Sequence, residues 1–534
     1  MSQSPKKQSF LHGAALLAGA TAIVKIIGAL YKLPLKMVIG DQGYGYFCTA
    51  YDIYSVLLLI STAGLPVAMS RMISQASSLG HYRQVRRVYS TARALFLGLG
   101  AVSSLLMLLF CKQLAAFQQQ PNATAAILVL GPCAFLMGLM STYRGFFQGQ
   151  GNMIPTSVSQ VLEAVFKLVV GLVAALLLLK ATNSISLAAA GAILGVTVSC
   201  VISSVYLFSC FRKAYAVLPE STETVRSYGN TAKQLLSIAV PITIGAAGLQ
   251  ILTVVETNLY MGQLLTANGL SQDKADTMKG IYNMAQTIYN MPNAFIAPIT
   301  ISVIPAVTSH LTLLNNRGVR STEESAARVT ALLSLPCAIG LILLAEPIMA
   351  LLGDYSGEKL VLASQLMSLL GISTFLHAIV LFTNSLMQAH GHANIPVVNM
   401  LCSGAVKLAV VYILTGNPAI GILGVPMGTA LCNLCISVLN LFAISKCIPQ
   451  KPALVRNLLR PLLPALLMGG AAYGSWQLLL LLMGENTSRV ILCGVPIAIG
   501  AAVYFVAVVL FKSITREDCL LLPKGEKIAK LLKL

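Results

Sequence analysis

Charge is what this sequence lacks most. Only 10% of its 534 residues are charged, against roughly 25% in an ordinary soluble domain. Aspartate and glutamate together number 17, and a single tryptophan is present. A soluble chain of this length would divide into several domains, and so little charge could not cover their surfaces. Also missing are a Walker A pattern, a zinc motif and a nucleophile elbow, which argues against ATP hydrolysis and the commoner metal and hydrolase chemistries. No long basic arm with interleaved aromatics exists, so nucleic acid is not an expected partner.

The twelve cysteines form no framework. Most, such as Cys111, Cys133, Cys200 and Cys402, fall within apolar runs, where a free thiol behaves as a small hydrophobe. Cys432 and Cys435 make a CxxC in an apolar helix with no further ligands, so no metal site is expected there.

Present instead are apolar runs of 18 to 30 residues, back to back from Gly13 to Phe511. About 20 such residues cross a bilayer core. The expected fold is therefore an all-α, polytopic membrane protein of about 14 transmembrane helices. The spans are placed near 13–33, 47–70, 91–111, 123–142, 157–180, 185–211, 235–266, 280–309, 326–346, 360–387, 396–415, 419–445, 458–483 and 489–511. The first is read as a retained span rather than a signal peptide, because Lys25 interrupts it and no cleavage site follows.

The 36 basic residues report topology. Alternate loops that share the side of the N-terminus hold 25 of them, Arg144 included; the opposite loops hold eight, among them Lys32 and Lys279. This bias places both termini in the cytoplasm, with the protein in the cell membrane. The basic tail reads as an amphipathic segment on the anionic inner leaflet.

Two segments repeat about 240 residues apart. Leu130-Gly131, Phe135-Leu136, Gln148, Gly151, Pro155 and Lys167-Leu168 are echoed by Leu370-Gly371, Phe375-Leu376, Gln388, Gly391, Pro396 and Lys407-Leu408. Six helices separate the copies, so both have the same orientation, as in parallel-repeat transporters. The expected organisation is two six-helix lobes around a central cavity, 1–212 and 235–446, joined by a linker at 213–234. Two extra helices follow at 447–512, and a tail at 513–534.

Ionisable residues inside spans mark candidate sites, since each costs at least ~2.5–3.5 kcal/mol at bilayer depth. Lys25 lies deep in the first span with no local acid, and is read as a substrate contact rather than a snorkelling side chain. Glu163 and Lys167 stand four residues apart and are expected to form a structural ion pair, although Lys167 is also a candidate for substrate. Lys407, its repeat mate, has Ser403 where the acid would be, and its role stays open between structure and binding. Glu256 either neutralises a lysine or takes a coupling cation or proton. Asp52, beside Tyr51 and Tyr54, is either a structural or a binding group. Lysines exceed acids in this set, which suits an anionic substrate such as a diphosphate. Breaks at Gly64-Leu65-Pro66 and at Pro292, Pro298 and Pro305 make spans 2 and 8 the candidate moving helices.

Three stretches carry a family resemblance. They are Lys25 … Tyr31-Lys32-Leu33-Pro34 … Gly40-Asp41-Gln42-Gly43; Ser61-Thr62-Ala63-Gly64-Leu65-Pro66; and Tyr143-Arg144-Gly145-Phe146-Phe147-Gln148-Gly149 continuing to Glu163. With these the chain resembles the multidrug/oligosaccharidyl-lipid/polysaccharide exporter superfamily, in the branch of stage V sporulation protein B and the lipid II flippases. The resemblance implies alternating access, a substrate diphosphate held by cations of spans 1, 2 and 8, and a lipid-tail groove at spans 13 and 14. It adds Asp41 to the candidate substrate residues. Span 8 departs from the pattern, having no intramembrane Arg or Lys, unless Lys407 or Lys279 substitutes.

The leading reading is a flippase for lipid-linked sugar precursors, lipid II foremost, acting as a monomer. It needs no cofactor, and is driven by an ion gradient or the membrane potential. A multidrug antiporter is the alternative within the superfamily. A polytopic glycosyltransferase or ligase is the alternative outside it, with Asp273 and Asp276 as its only outer-loop carboxylates.

Overall fold

The computed structural model describes residues 10–515 and Asp518, apart from 63, 450–451 and 485–486. At some helical positions, Lys25 and Pro305 among them, only the backbone is described. The basic tail beyond Asp518 lies outside the described residues. Every regular element among those described is helical.

The helices are α1 (Phe10–Thr62), α2 (Leu65–Ser78), α3 (Tyr82–Leu109), α4 (Cys111–Phe117), α5 (Thr124–Gly149) and α6 (Ile154–Thr182). Then come α7 (Ile185–Ala216), α8 (Tyr228–Thr266), α9 (Gln272–Thr312), α10 (Asn316–Leu343), α11 (Ala345–Leu352) and α12 (Gly357–Ala389). The chain continues through α13 (Asn394–Gly416), α14 (Gly424–Cys447), α15 (Leu454–Leu459), α16 (Leu462–Met483) and α17 (Arg489–Leu510).

Among the described residues, eleven helical stretches are long and apolar enough to cross a membrane. They match all the expected spans except 1, 7 and 8, where the first half of α1, the 39-residue α8 and the 41-residue α9 stand instead. An all-α polytopic architecture is thus what the chain forms, and fourteen spans fit it.

Expected spans 1 and 2 are not separated by a loop. They meet at Gly40, whose φ of 69° and ψ of −175° break the helix where a side chain would be strained. The second expected break, Gly64-Leu65-Pro66, is real and starts α2 with proline in its first turn. Gly64 is required by packing as well, because a Cβ there would collide with the Ala239 carbonyl of α8. In contrast, α9 runs unbroken through Pro292 and Pro298.

By packing, the chain divides into two compact units. The first is 1–262 with 270–280; the second is 263–269 with 281–534. Most of α8 therefore packs with the first unit, although the sequence repeat starts the second lobe there. Within the first unit, α6 and α7 approach closely through Gly171, Gly191 and Gly195, where added Cβ atoms would meet backbone of the facing helix. Tyr31 crosses this seam and donates to the Ala192 carbonyl at 3.0 Å, which fixes α1 against α7. The second unit is built around a core from α9, α10, α12, α14, α15 and α16, including Val307, Leu335, Phe382, Ile444, Leu458 and Ala465.

Candidate functional site

Inside the first unit a cavity of about 230 Å³ opens between α1, α5 and α6. Gly28 and Tyr31 line it from α1, Arg144 from α5, and Gln160, Glu163 and Lys167 from α6. Gln160, Glu163 and Lys167 recur every three or four residues, so one face of α6 presents all three.

The expected pairing of Glu163 with Lys167 is not what forms. Glu163 Oε2 instead accepts from Arg144 Nη2 at 3.1 Å, while Arg144 Nε donates to Ser159 Oγ at 3.0 Å. The rigid guanidinium fork spans one turn of α6, from Ser159 to Glu163, and outcompetes the flexible ammonium on the same helix. Lys167 Nζ lies 4.7 Å from the Tyr51 ring centre and 5.5 Å from that of Tyr31. Aromatic faces partly compensate a cation without neutralising it. No carboxylate among the described residues is within ion-pair distance of Lys167. The described lining thus carries two cations and one anion.

Arg144, a loop charge by its sequence, lies within α5, which extends to Gly149. The apolar and aromatic stretch Gly145-Phe146-Phe147, which follows Arg144 directly, is the sequence signal that the helix continues past it. The backbone of Lys25 lies on α1 one turn before Gly28, whereas its side chain falls outside the described residues.

The other candidate residues lie elsewhere. Asp41 is buried with Lys36, their charged atoms 3.4 Å apart. Asp52 is within electrostatic reach of Lys279, Lys32 and Glu256, and Glu256 is buried on α8. Lys407 sits half-buried on α13 of the second unit. Cys432 and Cys435 are free thiols.

A second polar assembly in the first unit was not legible in the sequence. Lys279, expected in a loop, is fully buried and donates to Thr49 and to Gln120 Oε1, the latter at 3.2 Å. Asp276 accepts from Tyr46 and Gln120 at 2.9 Å and from Gln272 at 2.8 Å. Burial without exposure and three donors commit this carboxylate to structure. It is not the accessible acid that a glycosyltransferase would need.

A family model described as "Polysaccharide biosynthesis protein" matches residues 10–310, more than half of the chain. The chain belongs to that family. It is 24% identical over 447 residues to stage V sporulation protein B of Bacillus subtilis (strain 168), covering 83% of this chain and 85% of that protein. It is 25% identical over 355 residues to the lipid II flippase MurJ of the same organism, covering 63% of this chain and 64% of that protein. Among solved structures, a lipid II flippase MurJ in an inward closed conformation aligns with a TM-score of 0.64 at 14% identity, over 93% of this chain and 98% of that one. An inward-facing multidrug resistance MATE family transporter of the MOP superfamily aligns at 0.62 and 16% identity, over 82% and 95%. The chain is thus a multi-pass membrane protein of the polysaccharide biosynthesis family, and it shares its fold with these MurJ and MATE structures.

Proposed function

We propose that this protein is a flippase that carries an undecaprenyl-diphosphate-linked sugar precursor, lipid II foremost, from the inner to the outer leaflet. The observation that carries the reading is the excess of cation in the first-unit cavity. Arg144 is answered by Glu163, whereas Lys167 is left to aromatic rings. An anionic guest would complete the balance. One phosphate contact at 4 Å is worth about 4 kcal/mol at an effective dielectric near 20. Lys25, on the same stretch of α1 as Gly28 and Tyr31, is assigned to that guest together with Lys167 and Arg144.

In this reading the lobes at 1–212 and 235–446 alternate access, with helices 447–512 beside the lipid tail and both termini cytoplasmic. Lys407 serves the substrate from the second lobe. Asp52 and Glu256 balance Lys279 and Lys32, and give the translocation cycle a place to take up a coupling cation. Asp41 holds Lys36 rather than the substrate. The protein works as a monomer among membrane lipids.

Multidrug export is the second reading, favoured by the alignment with a MATE transporter. The cavity charge counts against it, since an organic cation would face two cations and one acid. Depletion of the protein separates the two. Build-up of a lipid-linked sugar intermediate on the inner leaflet supports the flippase; drug hypersensitivity with normal lipid turnover supports the exporter.

A further inference from the structure

A second cavity of the first unit, of about 410 Å³, shares no lining residue with the one described above. Ligand pockets span roughly 300–1,000 Å³, so its size suits a small molecule. Its walls come from the end of α2, the start of α3, the linker after α7 and the start of α8. Met72, Gln75 and Ala76 recur every three or four residues and present one face of α2; Gln84 and Val88 do the same on α3.

The linker wall is held by specific bonds. His81, at the N-cap of α3, gives no side-chain cap, and Glu223 of the linker takes that role by accepting from Gln84 N at 2.9 Å. Gln84 Oε1 in turn accepts from Arg226 N at 3.1 Å, and Ser221 Oγ donates to the Gly80 carbonyl at 3.3 Å. Arg226 Nη1 donates to Gln234 Oε1 on α8. These contacts fix the Arg226 guanidinium and commit the Glu223 carboxylate to the helix end.

The lining divides by chemistry. Met72, Ala76 and Val88 are buried and apolar, and Gln75, Gln84 and Gln234 add three amides. Arg226 and His81 supply donors at an exposed rim. No carboxylate among the described residues lines the cavity. An apolar floor takes a planar ring, amides pair with the donor and acceptor edge of that ring, and a guanidinium takes phosphate oxygens. A bare phosphate would leave the floor and the amides unused, and a lipid headgroup carries no such ring. We propose that this cavity binds a nucleotide, with the base on the apolar floor and the phosphate at Arg226. On the proposed orientation its mouth is cytoplasmic, the side on which nucleotides are found.

The test uses the full-length protein in phosphatidylcholine nanodiscs and three kinds of probe: the four ribonucleoside 5′-monophosphates, inorganic phosphate, and phosphatidylglycerol added to the disc. Binding is read as a rise in thermal midpoint, because a ligand of the folded state raises it, and affinity by calorimetry. At least one nucleotide should bind, about tenfold or more tighter than inorganic phosphate. Arg226→Gln and Gln75→Leu, both at exposed positions, should each weaken that nucleotide about tenfold, and Arg226→Lys should keep part of the affinity. Arg83→Gln, exposed nearby but outside the lining, should leave it unchanged. No response to any nucleotide overturns the site, as does a response that survives both Arg226→Gln and Gln75→Leu. An equal loss in Arg83→Gln and Arg226→Gln would reveal unspecific charge attraction and overturn it too. Inorganic phosphate that binds as tightly as any nucleotide removes the base from the proposal. An Arg226-dependent shift with phosphatidylglycerol alone gives the cavity to lipid, and the proposal is then wrong.

Discussion

Arg144 Nη2 lies 3.1 Å from Glu163 Oε2, and this contact between α5 and α6 sets the charge of the first-unit cavity. It takes the one acid of the lining away from Lys167. If the pair is structural, Glu163→Leu leaves a guanidinium only 12% exposed without its counter-ion. Breaking a buried pair costs roughly 3–5 kcal/mol, and partial exposure here reduces that figure. Membrane abundance and thermal midpoint should fall in Glu163→Leu and recover in Glu163→Leu/Arg144→Met. Unchanged stability of the single variant would show that the pair contributes nothing to the fold.

Lys167 gives the complementary result. Its cation rests on the rings of Tyr31 and Tyr51 rather than on a carboxylate. Lys167→Met should therefore be tolerated by the fold, since it replaces a half-buried charge with an uncharged side chain of similar shape. Complementation of a flippase-depleted strain should fail with Lys167→Met. A strain that grows normally on this variant would remove Lys167 from the substrate site.

Gly280 tests the buried assembly around Lys279. A Cβ there would collide with the carbonyl of Asp41, whereas one at Gly262 meets open space. Overpacking of this kind costs about 1–3 kcal/mol. Gly280→Ala should lower the thermal midpoint of the purified protein, and Gly262→Ala should not. Equal midpoints would mean that the Asp41–Gly280 approach is loose in solution.

The membrane fold was legible because apolar runs long enough to span report their own structure, whatever their neighbours. Gly64-Leu65-Pro66 announced the start of α2 for the same local reason. The site was less legible, because its contacts are remote in sequence. Glu163 and Lys167 satisfy the i,i+4 rule, yet Arg144, nineteen residues away, takes the acid. Lys279 and Asp276 sit among polar neighbours that read as a loop, and only the approach of Thr49, Tyr46 and Gln120 buries them.

The proposed orientation rests on the distribution of Lys and Arg between loops. In a background freed of native cysteines, Ser271→Cys should react with an impermeant thiol reagent in intact cells, and Asn315→Cys should react only after permeabilisation. The reverse pattern would invert the protein and the direction of transport.

The central claim, movement of an anionic lipid-linked sugar, is tested most directly in proteoliposomes loaded with lipid II. Translocation is read as the fraction of lipid II that becomes accessible to an impermeant reagent on the opposite face. Wild-type protein should raise that fraction well above protein-free vesicles. Lys25→Ala should abolish the gain and Lys25→Arg should keep much of it, since arginine preserves the charge and donates to phosphate oxygens. Wild-type vesicles that leave lipid II where it was placed, yet export an organic cation, would contradict the account.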